Sequence, residues 1–299
     1  MASDRHGITG VRVGDVPRAG EGLRAARMPA AQRAGFDTRS LHGVFGTLTA
    51  IAVVFLTAPT IVMLLTSFTA TESLRFPPQG YSLRWYKALL EADQMQAAAW
   101  SSLVVAFWTT LISAVLGTLG ALAIARSRSR FARIADVAFM SPLILPALAF
   151  GFAALVYIHR LGFHPSIPLL VLGHVVVCVP FVLRTTIAAL AQVDSALFDA
   201  SASLGAGRVM TFRRVTLPLI GRGIAAGAFL AFMASFDNVQ VSLFLADERT
   251  EMLPIHLWQQ IDTNLDVRTA AISGVIVIAT IVLMVLVERF AGLSRQLAR

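Results

Sequence analysis

The sequence predicts an all-α, polytopic membrane protein with six transmembrane helices. Of its 299 residues, 56% are hydrophobic and 14% are charged, whereas soluble domains carry about 25% charged residues. Several apolar runs reach about 20 residues, which is the length that a helix needs to cross a bilayer. Lipid cannot satisfy open backbone groups, so these runs are expected to be helical.

The six apolar runs predict spans at residues 44–68, 100–125, 134–158, 167–190, 220–245 and 267–290. Together they define a predicted transmembrane domain at residues 41–295. Pro142 and Pro146 lie inside the third span, where we expect them to kink the helix for packing rather than to bind a solute. Arg184, near the end of the fourth span, is expected to extend toward the membrane interface.

Residues 1–40 precede the spans and are rich in Arg, Gly, Ala and Pro, with no sustained apolar period. This composition predicts a disordered, basic cytoplasmic tail that contacts anionic lipid. A cleaved signal peptide is not expected, because the first apolar run begins late and is too long.

The charges and reactive residues exclude several classes of protein. A net charge of +8 suits nucleic acid, but the charges lie between and beside the spans, so no nucleic-acid partner is expected. Lys87 is the sole lysine and follows no glycine-rich phosphate loop. His174 and Cys178 have no further ligand at metal spacing, so no metal site, cofactor or catalytic residue is predicted.

The fifth span contains a polar cluster at Asp237 and Asn238. A carboxylate within a span is costly and usually faces a bundle interior or an aqueous cavity. Two interpretations stay open: these residues lie on a translocation path, or they form a structural hydrogen-bonding cluster. Earlier in the same span, Gly223 and Gly227 have the spacing that allows close helix contact.

Residues 191–219 form a polar loop between the fourth and fifth spans, and we call it the signature loop. A short helix is predicted at residues 195–204, because Asp194 can cap its start and Gly205 can end it. A second amphipathic segment follows at residues 208–216, and Pro218 stands where a new helix can begin. Such a loop cannot be buried in lipid, so it is expected to offer a surface to a partner in water.

The signature loop resembles that of the permease subunits of binding-protein-dependent ABC importers. Their loop reads E-A-A-x-x-x-G, then nine residues, then I-x-L-P. Here Asp199-Ala200-Ser201 and Gly205 match the first part, and Val215, Leu217 and Pro218 match the second, without a gap. Two positions depart from the pattern, with Asp for Glu at 199 and Ser for Ala at 201.

The run F-P-P-Q-G-Y-S-L-R-W-Y at residues 76–86 is similar to the first outer loop of the spermidine/putrescine-type permeases in this family. The stretch from Ser235 through the Leu253-Pro254 pair also resembles them. The resemblance implies a polyamine solute, which would suit Asp237 on the path. Importers of the same type for an oligopeptide, an opine, sulfate or ferric ion remain alternatives.

The resemblance also implies the fold and the partners. It implies the type I ABC permease (MetI-like) fold, a second homologous permease, a cytosolic ATPase dimer and a periplasmic solute-binding protein. In the family, the signature loop forms a coupling helix that docks in a groove of the ATPase. Carried over by position, Asp199, Ala200, Ser201 and Gly205 would form the docking surface.

The charge distribution predicts the orientation without the resemblance. Six spans put both termini on one side, and all but six of the 25 Lys and Arg residues then fall on the side of the signature loop. An excess of basic residues marks the cytoplasm, so the loop and both termini are predicted to be cytoplasmic. The six on the other side are Arg75, Arg84, Lys87, Arg160, Arg249 and Arg268.

Two other classes of protein compete with an importer subunit. An intramembrane enzyme is not expected, because the sequence lacks the zinc-hydrolase and serine-hydrolase motifs. An ATP-independent channel or carrier would leave the signature loop unexplained, and repeated broken spans are not evident in the sequence. Dependence on a separate ATPase would separate the importer from the channel or carrier.

Overall fold

The computed structural model describes residues 38–127, 129–247, 250–263 and 266–291. The predicted tail at residues 1–40 falls almost wholly outside this part of the chain. Two compact units divide at residues 58 and 59. In its described part, the first unit consists of the beginning of one long helix with exposed apolar side chains, whereas the second unit holds all the other elements.

Helices account for nearly all of the described structure. Five of them are long and apolar enough to cross a membrane, and the number is six if one sharply bent pair counts as a span, in agreement with the predicted fold class. In chain order the helices are α1 (Thr38–Ser67), α2 (Arg84–Leu90), α3 (Asp93–Ala125), α4 (Arg130–Ile144), α5 (Ala147–Arg160), α6 (Ile167–Ala191), α7 (Ala196–Ser203), α8 (Arg208–Thr211), α9 (Leu217–Phe236), α10 (Val239–Leu245), α11 (Leu253–Thr263) and α12 (Val267–Ala291).

The core is a bundle of α3, α6 and α9, which pack against one another more extensively than the other helices do. Glycines let these helices approach closely. A Cβ atom added at Gly117 of α3 would lie 2.7 Å from the Cβ of Val182 in α6, and one added at Gly223 of α9 would lie 2.8 Å from the carbonyl oxygen of Thr185. The predicted role of Gly223 and Gly227 in close helix contact is therefore confirmed.

Replacing Gly227 with alanine is expected to destabilise the bundle relative to Gly221→Ala in the same helix. The new Cβ at 227 would lie 2.6 Å from the Cα of Val182, whereas one at 221 meets nothing within 4 Å. Both substitutions raise helix propensity equally, but overpacking costs about 1–3 kcal/mol at 227 alone. Thermal unfolding of both variants in detergent checks this, and equal melting temperatures would contradict it.

The third predicted span is broken rather than kinked. Helices α4 and α5 meet at 105°, so the prediction of one continuous helix is wrong. Leu145 is extended, with ψ of 142°, because the ring of the following Pro146 disfavours helical backbone there. Arg184 of α6, which the sequence predicts to extend toward the interface, pairs with a carboxylate, because its Nη1 lies 3.3 Å from Oδ1 of Asp136 in α4.

The fifth span has different ends from those predicted. Its helix begins at Arg208 and runs through a π-helical segment, Phe212–Thr216, into α9, so Pro218 does not start a new helix. Proline lacks an N–H and crowds the preceding turn, and a widened turn lets the helix continue past it. The span ends at Phe236, and α10 follows as a separate helix.

Short helices pack on the spans at the end opposite the signature loop. The buried Trp85 of α2 donates from Nε1 to the carbonyl oxygen of Thr69 at 3.0 Å, and it packs against Val267 and Ala271 of α12. Helix α11 has Pro254 in its first turn, where a missing N–H costs no hydrogen bond within the helix. Its first residue, Leu253, donates its backbone N–H to Oγ of Ser102 in α3 at 2.9 Å.

Candidate functional site

The signature loop folds around α7, whose two ends are both closed by hydrogen bonds. At the start, Oδ1 of Asp194 accepts from the backbone N–H of Ala196 at 2.9 Å. At the end, Gly205 has φ of +77° and donates its N–H to the carbonyl oxygen of Ala202 at 2.9 Å, while Ala206 donates to Ser201 at 3.1 Å. This pair of bonds is the Schellman ending that glycine permits, so the predicted short helix is present.

Two contacts tie α7 to its surroundings. The hydroxyls of Ser201 and Thr211 lie 2.8 Å apart and join α7 to α8. The Arg126 guanidinium at the end of α3 lies 5.7 Å from the centre of the Phe198 ring, a distance suited to a cation–π contact. Helix α7 is therefore held by side-chain contacts to both α8 and α3.

The predicted docking residues do not all face outward. Asp199, Ala200 and Gly205 are exposed, but Ser201 is buried. Of the four predicted docking residues, Ser201 is the one that the fold buries, and its hydroxyl lies 2.8 Å from that of Thr211. It holds the two helices of the loop together instead.

Exposed apolar side chains beside the motif were not predicted. Leu204 is 88% exposed and Val209 is 80% exposed, and Met210 and Leu197 of the same loop are exposed as well. Leaving large apolar side chains in water gains nothing for the isolated chain. The signal was available in the sequence, because Leu204 directly precedes the Gly205-Ala206-Gly207 stretch and Val209 follows it after Arg208.

The second half of the motif lies at the start of the fifth span. Val215 is half-buried in the π-helical segment, and Leu217 and Pro218 are exposed in the first turn of α9. Thr216 between them is fully buried. Because the helix is continuous from Arg208 to Phe236, a displacement of the loop would be carried directly into the fifth span.

A cavity of about 430 Å³ lies where the fifth span ends, a volume within the range of about 300–1,000 Å³ that is usual for small-molecule sites. Residues of α9, α10, α11 and α12 and of the break between α9 and α10 form its walls. Its lining comprises Met233, Ala234, Phe236, Asp237, Asn238, Gln240, Leu253, Pro254, Leu257 and Ile276.

Asp237 and Asn238 both line this cavity, but they differ in what their side chains do. Oδ1 of Asn238 accepts from the backbone N–H of Val241 at 2.9 Å and caps the start of α10. The Asp237 carboxylate makes no hydrogen bond or ion pair with the residues that the structure describes. Asp237 is therefore the charged group that remains available in the cavity.

His174 of α6 lies beside the same break. It is fully buried, and its two ring nitrogens lie 2.8 Å from Oγ of Ser235 and 3.1 Å from Oγ of Ser242. His174 is therefore a packing residue with a hydrogen-bond partner at each ring nitrogen. Its partners could not be predicted, because they are 61 and 68 residues away in the chain.

Comparison with known proteins matches these features to one family. Residues 113–298, more than half of the chain, match the family described as "Binding-protein-dependent transport system inner membrane component". The match includes the signature loop, the Asp237 cavity and the core helices α6 and α9.

Two curated relatives cover most of the chain. The spermidine/putrescine transport system permease protein PotC of Escherichia coli (strain K12) is 28% identical over 249 residues, which cover 83% of this chain and 92% of PotC. The putrescine transport system permease protein PotI of the same strain is 29% identical over 230 residues, which cover 74% of this chain and 81% of PotI.

A solved structure shares the fold. The bacterial alginate ABC transporter in complex with an alginate pentasaccharide-bound periplasmic protein contains a chain that superposes with a TM-score of 0.64 at 16% identity. The superposition covers 90% of this chain and 99% of that chain.

The fold and the matched helices define a multi-pass transport permease, with no enzymatic role implied by the family. The chain belongs to the family of inner-membrane components of binding-protein-dependent transport systems.

Proposed function

We propose that this chain is one permease subunit of an ATP-driven importer and is coupled to a separate ATPase through the signature loop. The observation that carries the proposal is α7, a short, well-capped helix beside which Leu204 at its end and Val209 of α8 expose apolar side chains. A partner that covers Leu204 and Val209 would remove this apolar surface from water, which favours docking.

The construction of α7 suits mechanical coupling. Hydrogen bonds close both of its ends, and the Ser201–Thr211 contact joins it to α8. A rigid-body shift of α7 is therefore passed to the fifth span, whereas a flexible loop would absorb it. Closure of the ATPase pair on ATP would move α7 and switch the spans between inward-facing and outward-facing arrangements.

The proposed partners are a second homologous permease, a cytosolic ATPase dimer and a periplasmic solute-binding protein. The alginate transporter, which shares the fold, was solved in complex with a periplasmic protein. This chain carries a single lysine outside any phosphate-binding loop, so a separate polypeptide would hydrolyse ATP.

The proposed solute is a polyamine such as putrescine or spermidine. The two relatives PotC and PotI are named for these solutes, and the cavity combines one carboxylate with apolar walls. A polyamine alternates ammonium groups and methylene runs, so Asp237 would bind an ammonium while Met233 and Leu257 contact the methylenes. Asn238 would contribute to the path indirectly, because its side chain caps the start of α10. Other solutes of the same importer type remain the alternative.

The charge distribution supports an orientation with both termini and the signature loop in the cytoplasm. An impermeant thiol reagent tests this on a Gln192→Cys variant, at an exposed position of the signature loop outside the proposed docking surface, in which Cys178 is replaced by serine. Labelling is expected in inside-out vesicles and not in intact spheroplasts, and the reverse pattern would contradict the orientation.

Affinity purification of the chain from its native membrane tests the proposed function. An ATPase, a second six-span subunit and a solute-binding protein are expected to accompany it. Leu204→Asp is expected to weaken retention of the ATPase by about tenfold or more, because a buried leucine contributes about 1.5–3 kcal/mol. Leu90→Asp in α2 is the matched control, since Leu90 is similarly exposed but lies far from the loop in the chain.

Two outcomes would contradict the proposal. One is equal retention of the ATPase by both aspartate variants. The other is a chain that purifies alone and moves a solute across liposomes without ATP, which would establish a channel or carrier.

A further inference from the structure

A fully buried histidine joins the two helices that flank the cavity at the end of the fifth span. His174 of α6 contacts Ser235, in the last turn of α9, and Ser242, in the middle of α10. Both serines are fully buried as well. We call these three residues the His174 clamp.

Each ring nitrogen of the His174 clamp has its own hydrogen-bond partner. A neutral imidazole has one donating and one accepting nitrogen, and a hydroxyl can take either role. Both contacts are therefore satisfied whichever nitrogen carries the proton. In apolar surroundings such bonds are strong, and an unpaired polar group is costly, so the clamp favours one arrangement of α9 and α10.

Other contacts also hold the two helices, and these contacts differ between α9 and α10. Helix α9 is also held to α6 by the close approach of Gly223 and Gly227, and by Cys178, which donates from Sγ to the carbonyl oxygen of Ala231 at 3.4 Å. Helix α10 has a hydrogen bond to α6 through Ser242 and apolar contact at Gly173, where an added Cβ would lie 3.2 Å from Cγ1 of Val241. Its most extensive packing is on α5, where Phe244 lies against Gly151 and Phe152, so the clamp is its hydrogen-bonded link to α6.

The cavity lies at the joint that the clamp spans. Phe236 and Asp237 line it from the end of α9, and Gln240 lines it from α10. The angle between α9 and α10 therefore sets where the Asp237 carboxylate stands relative to the amide of Gln240. A change of that angle would reshape the cavity without any change in the residues that line it.

We propose that His174 is a positioning residue for solute passage, because it locks α10 to α9 across the break and thereby holds Asp237 in the cavity. The inference rests on the proposed function and adds a residue that lies outside both the signature loop and the cavity lining. Helix α10 packs on α5, and the clamp fixes how α10 lies against α6 and α9.

Two substitutions of His174 separate the two contacts. An asparagine amide reaches the position of Nδ1, and a glutamine amide reaches that of Nε2, by the number of bonds from Cβ. His174→Asn therefore keeps the contact with Ser235 and releases Ser242, whereas His174→Gln does the opposite. Ser235→Ala and Ser242→Ala remove the same contacts from the other side.

The first measurement needs no solute. Spin labels on cysteines at Leu230 of α9 and Leu243 of α10, both exposed, report the distance between the helices by double electron–electron resonance. The complex is studied in nanodiscs with Cys178 replaced by serine. We expect one narrow distance without clamp substitutions, clear broadening in His174→Asn and Ser242→Ala, and less broadening in His174→Gln and Ser235→Ala.

The second measurement is putrescine uptake per assembled complex. His174→Asn and Ser242→Ala are expected to lower the rate by about tenfold, the factor that corresponds to one buried hydrogen bond, while ATP hydrolysis persists. In the double variant, Ser242→Ala is expected to add nothing to His174→Asn. A merely structural role would lower the amount of assembled complex but not the uptake per complex.

The outcomes separate the clamp from the proposed function. An unchanged distance distribution in His174→Asn and Ser242→Ala would overturn the clamp whether or not polyamines are carried. Absence of putrescine uptake by the unsubstituted complex would overturn the polyamine assignment, and the distance measurement would still decide for or against the clamp.

Discussion

Replacing Gly205 with aspartate is expected to leave the chain inserted in the membrane but to uncouple ATP hydrolysis from transport. Gly205 ends α7 with φ of +77°, a conformation that costs about 1–2 kcal/mol for most residues with a side chain and somewhat less for Asp. The two hydrogen bonds that finish α7 depend on that conformation. We expect uptake to fall by about tenfold or more, since this energy corresponds to such a shift between conformations.

A matched control separates backbone strain from added charge. Gly207→Asp places the same carboxylate two residues away, where φ is −69° and nothing lies within 4 Å of an added Cβ. Uptake and solute-stimulated ATP hydrolysis are compared in proteoliposomes that contain equal amounts of each assembled complex. Normal uptake by a well-inserted Gly205→Asp variant would count against the coupling role, and equal loss in both variants would assign the effect to charge.

The parts of the structure that depend on local sequence could be predicted. Apolar runs of about 20 residues locate the spans, because lipid imposes both their length and their helicity. The ends of α7 followed from Asp194 and Gly205, because capping and left-handed backbone are properties of single residues. The beginning and end of α6 were also predicted to within one residue.

The parts that depend on packing could not be predicted in the same way. Val239–Leu245 is as apolar as α9, so composition does not reveal that the fifth span ends at Phe236. A proline within a span indicates a bend, but the angle of 105° between α4 and α5 depends on what α5 packs against. The inward direction of Ser201 required the position of Thr211, which motif spacing does not contain.

Replacing Asp237 with asparagine is expected to abolish most polyamine uptake while leaving coupling intact. The substitution keeps the shape of the side chain and removes the carboxylate from the cavity. A contact between an ammonium and a carboxylate contributes about 1.5–3 kcal/mol where water is partly excluded. We therefore expect the putrescine uptake rate to fall by about tenfold to hundredfold, with wild-type amounts of assembled complex.

The control for this prediction is Asp262→Asn, which removes an exposed carboxylate from α11, one of the helices that line the cavity. Asp262 is not among the lining residues, so its loss is expected to leave uptake unchanged. Both variants also receive the same putrescine-loaded binding protein, so solute capture outside the membrane is held constant. Equal uptake by the two variants would remove Asp237 from the path.

A charge-retaining variant then distinguishes the two roles that the sequence left open for Asp237. Asp237→Glu keeps the negative charge and moves it by one methylene. If the carboxylate recognises a cation, this variant recovers a substantial part of putrescine uptake, whereas asparagine recovers none. If Asp237 were a structural hydrogen-bonding residue, asparagine would be the better substitute, because it preserves the size and an acceptor oxygen. Higher putrescine uptake by Asp237→Glu than by Asp237→Asn therefore supports cation recognition, and the reverse ranking supports a structural role.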